Sequence, residues 1–570
     1  MLLSNPRHAV AGVHSKPKML GAAKLLARNV GCSSIMRGST QTKGIFQLGK
    51  QRSLQQQGQQ SRMLCQTRAA AQTEPAQAQS ESAGPGAPKV VVIGGGFGGL
   101  FTAVRLGELF WPRNKMPQVT LVDQSERFVF KPLLYELLTG AADETEVAPS
   151  FQQLLAPYPV RYIQAKVSGA EPEDIQDGGS SSGGRVILDD GTDLEYDWLV
   201  VALGSQINDR GIPGVKELAV PFNTFEDGQR TIAALEDIEA RTATSSQAAD
   251  ITIVGAGYAG VELAASVAER LRSKPGATSV RVQLLTPGQD ILEGSPAGQR
   301  ETAMQALSSL GVEIVTGMRV MSLERSADAA STPTAVTMNL ERTQAEDPSS
   351  SRESRAADLV LWTAGSAPST KDLQPGALPT PQQRKGFPFP TNERGSVLTE
   401  SSLRVQKHSN VFALGDVSVS GSDQGALPAT AQVAFQQADY AAWNVWSSIN
   451  GRPLLPFRYQ HLGNMMGLGA VNGAVALPVS LPGQIGSSLQ SSPLGPLLKR
   501  LGVKLGAENN PEAEVTLEGP LAAAARRAIY LYRQPTNEQR LSVAAGWLSQ
   551  ASNLASGFLS QLPIQQARSP

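Results

Sequence analysis

Val90-Val91-Val92-Ile93-Gly94-Gly95-Gly96-Phe97-Gly98-Gly99-Leu100 runs four apolar β-formers into a Gly-x-Gly-x-x-Gly turn. It then continues into an apolar stretch at helical spacing, Leu100, Ala103, Val104, Leu106 and Leu109. The same arrangement returns at Ile251-Thr252-Ile253-Val254-Gly255-Ala256-Gly257-Tyr258-Ala259-Gly260-Val261-Glu262. Each copy is closed downstream by a strand ending in glycine, Trp198-Leu199-Val200-Val201-Ala202-Leu203-Gly204 and Leu359-Val360-Leu361-Trp362-Thr363-Ala364-Gly365. Gly94 to Gly204 and Gly255 to Gly365 are both separations of 110 residues. One glycine triplet is weak evidence in a chain with 55 glycines; two, each set between strand and helix with matched closures, are a duplication. The predicted fold is α/β, with two Rossmann-like dinucleotide-binding domains.

The glycines have separate tasks: a tight turn, close backbone approach to a pyrophosphate, and close packing of helix on strand. The helix N-terminus then presents about half a positive charge to the phosphates. Gly94, Gly96, Phe97, Gly98, Gly99 and Gly204 are the predicted contacts in the first unit. Gly255, Gly257, Tyr258, Gly260 and Gly365 are their counterparts in the second. Two dinucleotides held by one chain imply electron transfer between them.

The copies differ after the second strand. Val119-Thr120-Leu121-Val122-Asp123 ends in a carboxylate 24 residues past Gly99. Such a group accepts hydrogen bonds from a ribose diol, although a strand-end turn residue is the alternative. The second copy, Val282-Gln283-Leu284-Leu285-Thr286, puts a threonine there. A carboxylate facing a 2′-phosphate would cost on the order of 4 kcal/mol at an effective dielectric near 20. With Thr286 that penalty is absent, so NADPH is expected to be accepted, without an arginine after Thr286 to enforce the choice.

The chain of 570 residues has room for two to three domains. Its fifty basic and fifty acidic residues are unevenly spread. Residues 1–73 hold eleven Lys plus Arg and no acid, which leaves 39 basic against 50 acidic residues, a net of −11, in the rest. An acid-free leader rich in Arg, Ser and Ala reads as a transit peptide, with 74–87 a linker. A basic nucleic-acid arm is the alternative, disfavoured by the near absence of aromatics there and by the acidic body. Both cysteines, Cys32 and Cys65, lie in the leader, and only His408 and His461 occur beyond it. A catalytic thiolate, a redox disulfide and Cys- or His-based metal centres are thereby excluded from the body, so the electron chemistry falls to bound flavin and nicotinamide.

Along the chain, 88–226 reads as the first segment of an FAD-binding domain, with a flexible tip at 176–184, and 227–389 as an NAD(P)H-binding domain interrupted by a loop at 326–357. Residues 390–450 return to the FAD-binding domain as its second segment. Residues 451–570 form a C-terminal extension with a flexible insertion at 480–513. No run of about 20 apolar residues exists to span a bilayer. Leu541, Ala544, Ala545, Leu548, Ala555, Phe558, Leu559 and Leu562 instead form a helical stripe, preceded by Arg526, Arg527, Arg533 and Arg540 with Tyr530 and Tyr532 interleaved, and containing Trp547. That pattern suits a helix lying in a membrane surface; packing on its own domain or on a second copy, as a homodimer, is the alternative.

Asn410-Val411-Phe412-Ala413-Leu414-Gly415-Asp416 resembles the second flavin motif of two-dinucleotide flavoprotein reductases, which implies that Asp416 hydrogen-bonds the ribityl chain of FAD. Ala431-Gln432-Val433-Ala434-Phe435-Gln436 narrows the resemblance to the type II NAD(P)H:quinone oxidoreductases. So do Phe128-Val129-Phe130-Lys131-Pro132-Leu133-Leu134-Tyr135-Glu136 and Phe457-Arg458-Tyr459-Gln460-His461. The wording of Val122 to Pro132 and of Leu517-Glu518-Gly519-Pro520 is most similar to the plastid C-type branch of plants and green algae. The resemblance implies ping-pong electron transfer from NAD(P)H through FAD to a prenylquinone, of the plastoquinone or demethylphylloquinone class. It also implies a chloroplast location at plastoglobule or thylakoid, with the mitochondrion left open by the leader. Glu262 would contact the nicotinamide or the quinone-side network; favourable charge at a helix N-terminus is its other reading. Gln432 and Gln436 share a helix face and would bond quinone carbonyls or the flavin edge, against a plain capping or core-edge amide pair. A flavoprotein reductase of a protein electron carrier is the competing function. Sulfide:quinone chemistry lacks the cysteines it needs.

Overall fold

The computed structural model describes residues 86–561, apart from 113, 174–182, 245–247, 275–278, 327–334, 345–350, 371–386, 421–426, 481–491, 493–494 and 505–513. The leader, most of the linker and the 176–184 tip up to residue 182 therefore lie outside the described residues.

The two fingerprints build two matching parallel sheets. Lys89–Ile93 lies between Gln118–Asp123 and Trp198–Val201, with Val160–Gln164 and Val411–Ala413 outermost. Ala249–Val254 lies between Val280–Leu285 and Leu359–Trp362, with Glu313–Val315 and Val220–Pro221 outermost. Continuous apolar runs make these strands because both faces are covered: Val90, Val92, Ile93, Ile251 and Ile253 are fully buried. The glycine-loop helices, Phe97–Glu108 and Tyr258–Arg272, each cover one face. Phe97–Glu108 packs along Ala431–Ile449, whose fully buried Ala438, Ala441 and Ala442 admit close approach.

Both edges of the second domain differ from the sequence reading. Val220–Pro221 pairs with Leu361 and Trp362, so the second domain's sheet begins before residue 227. Ser205–Ile207 and Ser366–Pro368 pair antiparallel as the two crossings between domains. Phe387 and Phe389 pack with Val91, Ile93 and Val411, so they belong to the first domain. The stretch 326–357, expected as a loop, instead contributes Val336–Arg342 and Arg352–Ala357 to an antiparallel sheet with Met318–Arg325. Val336, Met338 and Leu340 alternate inward there, a period-2 signal diluted by the polar residues between them.

In the extension, Asn464–Gly467, Gly473–Ser480, Glu514–Glu518 and Val503–Lys504 form an antiparallel sheet in that order. The expected insertion thus contains a strand, and also a short helix, Gly495–Arg500. Two helices follow, Gly519–Tyr532 and Asn537–Gln561. Among the described residues no helix is long and apolar enough to cross a membrane.

Candidate active site

Both glycine-loop helices and the extension open onto one cavity of about 1600 Å³. Gly94, Gly96, Phe97, Gly98, Asp123, Gly204 and Asp416 form part of its wall, Tyr258 and Glu262 another part, and Gln432, Tyr459, Tyr532 and Arg533 a third.

The first loop divides its glycines as the motif requires. Gly94 has φ +95° and a Cβ there would lie 2.4 Å from Ala202 O. A Cβ on Gly99 would come within 1.7 Å of Gly94 O, so the helix crosses the loop at backbone contact. Gly96 differs: its φ of −69° suits any residue, and a Cβ would meet no protein atom within 4 Å. Its Cα faces open space at a helix N-terminus, the cradle a pyrophosphate needs. The second loop repeats the division: a Cβ on Gly260 would lie 1.7 Å from Gly255 O, and one on Gly257 would meet no protein atom within 4 Å. Two duplicated loops thus fit two dinucleotides.

Asp123 is tied on both oxygens, accepting from Gly95 N at 2.5 Å and Ser125 N at 2.8 Å. Burial pushes its carboxyl up while these two N–H groups hold it down. Each oxygen keeps a lone pair for a ribose hydroxyl. Asp416 accepts from Ser205 Oγ at 2.8 Å. In the second copy Thr286 Oγ1 accepts from Gly288 N at 3.2 Å, repeating the bond of Asp123 to Ser125 without a charge. Tyr258 reaches the cavity, its hydroxyl donating to Gln299 at 2.9 Å. Gly255, Gly257, Gly260, Thr286 and Gly365 do not line the cavity, nor does Gly99. Gly365 instead abuts the Arg210 side chain.

Glu262 is the buried acid of the site, 8% exposed, and Gly467 N donates to its Oε1 at 2.7 Å. Burial pushes its carboxyl up to about 7, helped by Glu136; the Gly467 N–H and the Arg526 guanidinium oppose the rise. Arg526 is 1% exposed and pairs with Glu136 at 2.7 Å, while Arg527 takes the other Glu136 oxygen at 2.8 Å. Sequence reading missed Glu136 and placed Arg526 and Arg527 among outward basic residues. The available signal was a lone acid in the apolar helix Lys131–Thr139 and two arginines in an alanine run. Trp547 and Tyr530 also turn inward, against their expected interfacial role: the Trp547 indole donates to Glu146 at 3.3 Å and Tyr530 packs on Phe130.

Gln432 lines the cavity, yet its amide is already used: Nε2 donates to Gly463 O, and Oε1 accepts from the Tyr459 hydroxyl and Leu462 N. Gln436 lies outside the cavity lining, and both ends of its amide bond the Gln460 backbone, at 2.9 and 3.0 Å. Its position therefore favours the amide-pair reading. The neighbouring Gln437 accepts from Gly415 N at 2.7 Å and fixes the turn that carries Asp416. Tyr459 and His461 join the wall unannounced by any spacing.

The pyridine nucleotide-disulphide oxidoreductase family matches residues 88–438, the span of both sheets and the Gln432 helix start. The chain belongs to that family. It is 40% identical over 477 residues to the alternative NAD(P)H-ubiquinone oxidoreductase C1, chloroplastic/mitochondrial, of Arabidopsis thaliana, covering 82% of this chain and 81% of that protein. It is 37% identical to the demethylphylloquinone reductase NdbB of a Synechocystis species, over 81% of this chain and 96% of that one. Its fold matches the NDH2 of Plasmodium falciparum solved with NADH, at TM-score 0.60 and 15% identity, over 81% and 98% of the two chains. Within the family it is thus of the type II NAD(P)H:quinone oxidoreductase kind, an oxidoreductase with FAD and NAD(P)H as cofactors.

For this oxidoreductase, Gly96→Ala is expected to leave the apoprotein melting temperature within a few degrees of wild type while lowering FAD content. Gly99→Ala, with its backbone clash, should destabilise by about 1–3 kcal/mol or more. Absorbance at the flavin band together with thermal denaturation separates the two.

Glu262 holds its proton more tightly when folded than an exposed glutamate does. Its ionisation therefore costs nothing below about 4.5, grows with rising pH, and reaches about 3 kcal/mol above about 7. A Glu262→Gln variant, free of that cost, should gain melting temperature relative to wild type between pH 5 and pH 8. Parallel curves would remove the assigned ionisation.

Proposed function

We propose that this chain oxidises NAD(P)H and passes both electrons to a membrane prenylquinone of the plastoquinone or demethylphylloquinone class. The observation that carries this reading is the single cavity walled by both dinucleotide folds and by the C-terminal extension. Donor and acceptor sites that share a cavity need no protein carrier between them. Bound FAD supplies the two-electron relay. The chain supplies position: Asp123 and the Gly96 cradle hold one dinucleotide, Gly257 and Tyr258 the other, so that reacting rings meet in the cavity rather than by diffusion. Glu262, near half ionisation at neutral pH, can hold or release a proton at its carboxylate beside that cavity. Gln432 shapes the acceptor end by anchoring residues 459–463, through Tyr459, Leu462 and Gly463.

The extension supports a lipid surface as the quinone's source. On Asn537–Gln561, Leu541 and Leu548 are each 73% exposed and Ala545 is exposed with them, one face at helical spacing, while Val543 and Trp547 point inward. Tyr532, 66% exposed, stands beside Arg533 and Arg540 at the same end. An apolar face flanked by basic and aromatic residues fits a bilayer or plastoglobule surface. A plastid setting agrees with the acid-free leader and with the chloroplastic/mitochondrial name of the Arabidopsis relative.

Two measurements test the reading. Protein beginning near Ala70 should be yellow and should oxidise NADH or NADPH only slowly until a short-chain plastoquinone analogue is added. Flavin that bleaches with NAD(P)H but is not reoxidised by quinone would favour a protein acceptor instead. The Leu541→Asp, Leu548→Asp double variant should lose co-sedimentation with anionic lipid vesicles while keeping its FAD and its activity toward a water-soluble quinone. Unchanged sedimentation would assign that face to another contact.

A further inference from the structure

Among the described residues, the guanidinium of Arg533 stands in the cavity wall without an ion pair. Arg533 caps the helix Gly519–Tyr532, its backbone N–H donating to Ile529 O, and its side chain is half-buried. The guanidinium carbon lies 4.1 Å from the centre of the Phe435 ring and 5.4 Å from that of Tyr532. Among the described residues no hydrogen bond or ion pair reaches it. On the same helix, Arg526 and Arg527 share Glu136, and on the next helix Arg540 donates to Asn537 Oδ1 at 2.8 Å. The acid that Arg533 feels, Asp439, lies instead 3.9 Å from Arg105 Nε.

Stacking on Phe435 holds the cation in place without using its N–H donors, which a structural role would consume. Burial and the charge of Arg540 make this cation costly, and Tyr532 and Asp439 offset that only in part. The side chains that meet the guanidinium directly are the rings of Phe435 and Tyr532, both in the cavity wall. A fixed cation with free donors in such a wall suits an oxygen that is neutral on arrival and gathers negative charge during reaction.

We infer that Arg533 binds the reducible quinone oxygen and stabilises the charge it collects as electrons arrive. The inference rests on the quinone-reductase reading above. In balance, NAD(P)H gives up two electrons and one proton, solvent gives the second proton, and quinone becomes quinol. The quinone oxygen is most negative between the arrival of electrons and its protonation. Arg533 donates to it in that interval, forms no covalent bond and is unchanged afterwards.

Stopped-flow on the FAD-loaded chain separates the two half-reactions. Arg533→Met should leave flavin bleaching by NADH within about twofold of wild type. It should slow reoxidation by a short-chain plastoquinone analogue about 10²-fold, the scale for losing one preorganised donor. Arg533→Lys should recover part of that loss. Across quinones of differing reduction potential, the methionine variant should show a steeper rate dependence than wild type. Equal reoxidation rates would overturn the inference, and so would equal slowing of both halves, the mark of a structural role. If the methionine variant fails to hold FAD, Arg533→Gln takes its place with the same expectations. Wild-type protein that quinone cannot reoxidise would remove the underlying reading instead.

Discussion

One carboxylate holds the third wall of the cavity in place. Glu136, 4% exposed, takes Arg526 on one oxygen and Arg527 on the other. Removing one member of such a buried cluster strands the rest, at about 3–5 kcal/mol, whereas an apolar replacement of all three could be neutral. The cluster therefore does more to specify a position than to add stability. It sets the helix Gly519–Tyr532 against Lys131–Thr139, which places Tyr530 on Phe130 at 5.7 Å and Arg533 over Phe435. It also places a guanidinium near Glu262, where it opposes the effect of burial on that acid. The acid, the cavity wall and the C-terminal helix Asn537–Gln561 are thus referred to a single ion cluster.

The two sheets were legible in the sequence because their determinants are local. A run such as Val90 to Ile93 is apolar because both faces are covered, and Gly99 must be glycine because a Cβ there would lie 1.7 Å from Gly94 O. Such constraints act within a few residues, and duplication states them twice. The strand-end divergence is equally local: Thr286 repeats the turn hydrogen bond of Asp123 while omitting the charge. The amides of Ala431–Ile449 were harder to read. Gln432, Gln436 and Gln437 look alike in sequence, yet only the first lines the cavity, the second is consumed by Gln460, and the third fixes the Asp416 turn. Helical spacing finds a face but not its partners.

What sequence could not show is contact between distant segments. Glu136 and Arg527 are 391 positions apart, and nothing in either neighbourhood names the other. The same holds for Arg526 and Tyr530, whose mix of charge and aromaticity imitates a membrane interface until burial is known. Composition gives each residue a solvent preference, but an opposite charge across the fold reverses it. The sheet Val336–Arg342 and Arg352–Ala357 was obscured for a milder reason. Its inward Val336, Met338 and Leu340 are separated by residues that carry a polar surface, so average polarity hid the alternation.

The C-terminal helix Asn537–Gln561 has two unlike faces. Asn537–Gln561 turns Val543 and Trp547 toward the fold and Leu541 and Leu548 away from it. Trp547 stacks on Arg527 at 5.4 Å, and Arg527 grips Glu136, so the inward face is chained to the ion cluster that positions the cavity wall. The outward face is unmatched by any protein group among the described residues at Leu541 and Leu548. A water-soluble electron acceptor would need neither an apolar outer face nor an extension walling the cavity. The lipid-borne prenylquinone proposed above would use both, its ring entering a polar site while its tail stays in lipid. On that proposal the route between the two environments would run along one amphipathic helix whose inner side is fixed to the ion cluster by Trp547 and Arg527.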